Sequence, residues 1–123
     1  MIGYVLLGTN DLERARKFYD GVLAELDCKR TMSMETMQGY GNSASPVMLG
    51  VCVPYDKKPA TAGNGTMVSL AAPSRDVVGR VHAKALASGA KDEGAPGLRG
   101  ETFYGAYFRD PDGNKLCVFT MDN

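Results

Sequence analysis

A chain of 123 residues, 44% apolar and 23% charged, has the size of one ordinary globular domain with a real core and leaves no room for a second. Its 14 Lys and Arg balance 14 Asp and Glu, which excludes the strong field that draws nucleic acid or an acidic membrane, so the expected partner is a small molecule or another protein. Met1-Ile2-Gly3-Tyr4 shows no basic segment ahead of a long apolar run, and Val5-Leu6-Leu7 is far too short to span a bilayer; a soluble, cytoplasmic, non-exported protein is expected.

Residues 3–9 form a short apolar run, and Leu12, Ala15, Phe18, Tyr19, Val22 and Leu23 follow at helical spacing, which predicts a strand and then a helix. Asn10 is the expected N-cap, with Glu13 three residues on completing a capping box. Strand texture returns at residues 29–35 and 47–53. Residues 55–65, with Pro59, Gly63 and Gly65 among Lys, Thr and Ala, read as a linker. Then the order repeats. Residues 66–72 are short and apolar, Pro73-Ser74 supplies a helix start, and Val78, Val81, Ala85 and Leu86 form a stripe that Gly89 closes. Further strands are expected at residues 104–109 and 115–121, joined by the turn Arg109-Asp110-Pro111-Asp112-Gly113-Asn114 into a hairpin.

Adding 63 to the numbers of the first half carries Tyr4 to Met67, Ala15 to Val78, Phe18 to Val81, Val22 to Ala85 and Leu23 to Leu86. Past the helices Tyr40-Gly41 matches Tyr104-Gly105 at an offset of 64. The chain is therefore expected to be α+β, two tandem βαβββ modules over about 2–54 and 66–121 joined by a linker over about 55–65, with one strand of each copy faint in the pattern. Cys28, Cys52 and Cys117, odd in number and widely spaced, suit neither a disulfide framework nor paired metal ligands and read as reduced thiols.

Residues Asn10-Asp11-Leu12-Glu13-Arg14-Ala15-Arg16-Lys17-Phe18-Tyr19 and Tyr104-Gly105-Ala106-Tyr107-Phe108-Arg109-Asp110-Pro111-Asp112-Gly113-Asn114, in that order within a duplicated unit, give the chain its likeness to a known group. It resembles the vicinal oxygen chelate superfamily, which includes glyoxalase I, bleomycin and fosfomycin resistance proteins and extradiol dioxygenases. The resemblance implies curved sheets enclosing a cleft, and a homodimer or fused modules. In metal-dependent members the ligands, typically His, Glu or Gln, come from the first and fourth strand of each module. The matching positions here are Tyr4, Leu49, Met67 and Cys117, and none offers imidazole or carboxylate.

The remaining candidates each have two readings. Met67 and Cys117 are either apolar lining or a soft site for Cu(I), and the lining is preferred. Cys117, with Lys115 two residues away, is a buried thiol or an activated nucleophile, the former preferred. His82, the only histidine, stands where the first copy has Tyr19, and packing on the helix is preferred over catalysis. Glu35 and Glu101 read as solvated acids, or as bases over the cleft mouth. Arg99, in the Gly-rich stretch 94–105 read as a mobile loop, is a carboxylate or phosphate clamp or an unpartnered surface cation. Tyr104 and Phe119 are lining candidates, and Met32 and Met34 form either an adaptable wall or core filling.

The first functional expectation is a homodimeric binding module that holds a small, mostly apolar molecule in its cleft without metal or other cofactor, with Tyr4, Leu49, Met67, Arg99, Tyr104, Cys117 and Phe119 around the ligand. The second is a metal-dependent enzyme with relocated ligands, resembling lactoylglutathione lyase, another isomerase or a dioxygenase. In a third, the cleft is vestigial and the protein acts through its dimer surface. Catalysis is left open at this point.

Overall fold

The computed structural model describes residues 1–122. Two βαβββ modules follow one another. The first is β1 (Tyr4–Gly8), α1 (Leu12–Ala24), β2 (Lys29–Ser33), β3 (Met37–Asn42) and β4 (Ser45–Cys52); the second is β5 (Val68–Ala71), α2 (Arg75–Ala87), β6 (Lys91–Leu98), β7 (Phe103–Arg109) and β8 (Lys115–Met121). Each module makes one four-stranded sheet, in the orders β1-β4-β3-β2 and β5-β8-β7-β6. The first strand of each module lies parallel to the last, and every other pair is antiparallel.

Both helices cover their own sheets with most of the stripe expected from periodicity, although Leu12 on α1 and Leu86 on α2 are only half-buried and Val77 and His82 join the buried face of α2. Ala15, Phe18, Tyr19, Val22 and Leu23 are buried on α1, and Val77, Val78, Val81, His82 and Ala85 on α2. The helices also pack on each other, so a single core joins the modules; Phe18 of α1 meets Phe108 of β7 with ring centroids 6.3 Å apart. The two motifs that carried the resemblance meet here as well. Tyr19 donates to Asp110 Oδ2 at 2.5 Å, Thr9 Oγ1 donates to Asp112 Oδ2 at 2.6 Å, Arg14 pairs with Asp112 Oδ1 at 2.7 Å, and Asn114 Nδ2 donates to the Gly8 carbonyl at 2.9 Å. Asp110 in turn accepts the amides of Asp112 and Asn114 at 2.9 Å each, while Gly113 takes φ of +90°. The polar turn is thus a bolt between modules as well as a hairpin.

Three local expectations need correction. The N-cap of α1 is Asp11, whose carboxylate accepts the Arg14 amide at 3.0 Å; Asn10 instead holds residue 60 of the connecting segment, accepting its amide at 2.7 Å and donating to its carbonyl at 3.2 Å. Glu13, cast as the capping-box partner, pairs with Arg16 at 2.5 Å. The stretch 94–105 is largely not a loop: Lys91–Leu98 form β6, an edge strand whose register shifts at Gly94 and again before Gly97. Glycines and Pro96 hid this strand because they lower the local strand signal, yet an edge position and bulges accommodate both.

Candidate functional site

Pairing register decides which side chains share a face. Tyr4 pairs with Met48, Leu6 with Gly50 and Gly8 with Cys52 across β1 and β4, and a Cβ built on Gly50 would lie 2.6 Å from Leu6 Cδ2. These residues therefore project together, away from α1, and the Met48 sulfur lies over Gly39 on the same side. The intervening residues project inward: Leu49 pairs with Tyr40, whose hydroxyl donates to Asp20 Oδ1 at 2.9 Å and lies 3.1 Å from Arg16 O under the helix. In sheet two, Val68 and Leu116 pair and face the core, while Ser69 and Cys117 pair on the outer, concave side with Tyr107 opposite Cys117. Phe103 and Phe119 stack there at 5.1 Å and 6°.

The sequence register was off by one at one position. Since Tyr4 pairs with Met48 and Val68 with Leu116, Leu49 is the counterpart of Leu116, and the counterpart of Cys117 is Gly50. A slip of one residue moves a side chain to the other face of a sheet. Leu49 thus packs against the core, away from the face that carries Tyr4. Tyr104 also lies on the helix side, its ring 4.8 Å beneath the Arg75 guanidinium of α2, and so does not meet Phe119, which pairs with Gly105. The concave faces bring together Tyr4, Leu6 and Met48 on sheet one, and Cys117, Phe119, Phe103, Tyr107 and Ser69 on sheet two, with Met67 just before β5 and Arg99 just after β6. Leu6, Met48, Phe103, Tyr107 and Ser69 were missed; strict alternation from Tyr4, and from Cys117 back through the hairpin, carries the signal for them.

The concave face of sheet one is thioether, hydrocarbon and one phenol, with Tyr4, Leu6, Met32 and Met34 all exposed. Sheet two adds a more polar end. Cys117 is fully buried, in hydrogen-bond contact with Ser69 and Tyr107. Burial pushes its thiol up from the ordinary value, although those two hydrogen bonds and the charges of Arg99 and Lys115 act downward. A raised thiol is protonated at neutral pH, which does not suit an activated nucleophile. Burial likewise raises the thiols of Cys28 and Cys52, and all three cysteines are free.

His82 is buried on α2 with Nε2 3.0 Å from Asp92 Oδ1 of β6, on the helix side of the sheet. The amide of Gly94 and the hydrogen bond from His82 hold the Asp92 carboxyl below its usual value. Histidine is therefore a packing residue here, as preferred from the sequence. Glu35 and Glu101 are exposed in turns that flank β3 and β7. Among the described residues no three His, Cys, Asp or Glu side chains are gathered where they would hold a metal ion. The donors on the paired strands do not fit the divalent metal of the metal-dependent members: phenol, thioether and thiol are poor partners for hard cations, and hydrocarbon offers none. A hollow of about 560 Å³ opens between the helix side of sheet one, the end of α1 and β5, lined in part by Val5, Leu23, Leu26, Leu49, Val68 and Leu70.

Against known proteins, the Glyoxalase/Bleomycin resistance protein/Dioxygenase superfamily profile matches residues 1–118. The chain belongs to this superfamily. Among solved structures of the superfamily, a glyoxalase/bleomycin resistance protein from Albidiferax ferrireducens T118 is 36% identical, with 99% of each chain covered and a TM-score of 0.92. A glyoxalase/bleomycin resistance protein/dioxygenase family enzyme from Burkholderia phytofirmans PsJN is 18% identical, with 98% of each chain covered and a TM-score of 0.79. Lactoylglutathione lyase from Agrobacterium tumefaciens is 19% identical, covering 98% of this chain and 92% of that one at a TM-score of 0.70, a likeness of fold. No curated protein matches the chain. The superfamily fold agrees with the α+β, two-module architecture expected from the duplication.

Proposed function

We propose that this superfamily member binds a small, mostly apolar molecule against the concave faces of its sheets, without a metal. One observation carries the reading: the cross-strand pairs that face outward on β1–β4 and β5–β8, among them Tyr4 with Met48, Leu6 with Gly50 and Ser69 with Cys117, include no imidazole and no carboxylate. Flexible thioethers beside exposed hydrocarbon suit varied apolar shapes. Of the residues first expected around the ligand, Tyr4, Met67, Arg99 and Phe119 remain in the proposal; Cys117, with no exposed surface, acts through its contacts with Ser69 and Tyr107, and Leu49 and Tyr104 act through the core.

A second copy of the chain completes the cleft in this proposal. Within one chain the modules meet through their helices, and β1 and β5 each keep an unpaired outer edge. Tyr4 at 62% and Leu6 at 45% exposure add an apolar surface to that edge. Sedimentation equilibrium is expected to give a dimer, and a monomer at micromolar concentration would remove this part of the proposal.

The binding test is isothermal titration against a panel of apolar compounds, with Leu6→Asp as the blocking variant. Binding by the native chain and at least about tenfold weakening in Leu6→Asp are expected, since a buried carboxylate against an apolar ligand costs upward of 1.4 kcal/mol. Stoichiometric Zn, Ni or Fe in the purified protein, or turnover of a hemithioacetal, would instead favour the metal-dependent lyase or dioxygenase.

A further inference from the structure

Two cations converge on one phenol in sheet two. Arg99 Cζ lies 5.5 Å and Lys115 Nζ 5.7 Å from the centroid of the Tyr107 ring, on the concave side where Tyr107 pairs with Cys117. Neither cation has a carboxylate within ion-pair distance among the described residues; Arg99 donates to the Ala95 carbonyl at 2.8 Å, and the nearby Glu93 is taken by Arg109 at 2.6 Å. The arginine is seated rather than adrift. A Cβ built on Gly94 would come 3.2 Å from Arg99 Nη2, and one on Gly97 3.0 Å from Nη1, so a side chain at either position would crowd the guanidinium where it now sits. Arg99 and Lys115 over this ring, with Arg109 beside them, face the single carboxylate of Glu93, which leaves a local positive surplus that a ligand anion would neutralise.

The apolar part of the same face is aromatic. Phe103 and Phe119 stack with planes 6° apart, and the Phe103 ring lies over Gly105, where a Cβ would meet it at 2.6 Å. Phe119 is two residues along β8 from Cys117, the cross-strand partner of Tyr107 over which both cations sit, a run of roughly 7 Å at about 3.3 Å per residue. A planar hydrocarbon on the stacked rings would therefore put a carboxylate within reach of the charged end. We infer that the ligand is an aromatic or otherwise planar carboxylic acid, its body on Phe103 and Phe119 and its carboxylate between Arg99 and Lys115, with the Ser69 hydroxyl beside it. This rests on the proposed cleft and gives its ligand a chemical class. A forked guanidinium suits a carboxylate because it donates two parallel hydrogen bonds.

The test compares 1-naphthoate with 1-naphthylmethanol, the same ring system without the charge, by isothermal titration against the full chain and against Arg99→Gln, Lys115→Gln and the double variant. In the native protein the acid is expected to bind at least about tenfold more tightly than the alcohol, as for a hydrogen bond to a charged group, and to weaken as salt is raised. In the double variant the two affinities should converge while that of the alcohol stays unchanged, which also reports that the fold is intact. Gly97→Ala, which crowds Arg99 Nη1, should lower the preference for the acid in part. Equal affinities in the native chain, or an acid preference that survives the double variant, would overturn the inference and leave the apolar cleft standing. If neither compound binds while other members of the apolar panel do, this inference falls and the cleft proposal stands; if nothing in the panel binds, both fall.

Discussion

Tyr19 and Asp110 show how much of the stability is vested in single polar contacts. The phenol is almost fully buried and donates at 2.5 Å to a carboxylate that is itself 4% exposed and already accepts two turn amides. Removing the hydroxyl with Tyr19→Phe leaves a buried anion short of one donor, and a loss of about 1–3 kcal/mol in chemical denaturation is expected. A loss within experimental error of zero would mean that the module bolt does not need this bond. Phe18, edge-on to Tyr19 at 4.9 Å and facing Phe108, is a purely apolar counterpart; Phe18→Ala is expected to cost roughly 3–5 kcal/mol from the cavity it opens. Both residues were legible as core from the 3.6-residue stripe. Their partners in the other module were not, because sequence spacing says nothing about a contact made between residues 18 or 19 and residues 108 or 110.

Among the elements, the helix starts and the strand faces teach different lessons. Ser74 caps α2 as its position after Pro73 predicts, accepting the Val77 amide at 3.3 Å, whereas at α1 the choice between adjacent Asn10 and Asp11 was settled by the connecting segment that Asn10 must hold. Asp11→Ala is expected to destabilise the protein by about 1 kcal/mol through the lost cap. Asn10→Ala should instead speed hydrogen exchange at the Ala60 amide with α1 left protected; loss of α1 protection would return the cap to Asn10. Within the strands, alternation places Tyr4 and Cys117 on the concave side once a single anchor is known, but it cannot align β4 with β8 across two modules of low identity. The register bulge between Tyr40 and Asn42 is one reason, since it breaks the count in the first module just ahead of β4.

For the whole molecule, groups buried in their neutral form set the response to base. Burial raises the thiol of Cys117, and burial together with Asp110 raises the phenol of Tyr19 well above its ordinary value. The folded state thus holds protons that the unfolded chain releases. The stability contributed is complete below the unfolded values, about 8.5 for thiol and 10 for phenol, and is lost as pH rises through the higher folded values. Melting temperature is expected to hold near neutrality and to fall increasingly between about pH 9 and pH 11. A curve flat across that window would contradict the burial of these groups. Among the described residues no helix is long and apolar enough to cross a membrane.

The sequence by itself determined the duplication, both helices and most of the strands around them, most of each helix's buried stripe and the scarcity of hard-metal donors, because each follows from periodicity, turn chemistry or residue type within a short window; the strand Met37–Asn42 left only a faint trace. Tertiary structure alone decided that Lys91–Leu98 is a strand, that Leu49 and Tyr104 face the helices, and that Arg99, Lys115 and Tyr107 share one spot. Those outcomes depend on cross-strand register and on bulges, where a shift of one residue exchanges the two faces of a sheet, and no local pattern in the chain specifies that shift.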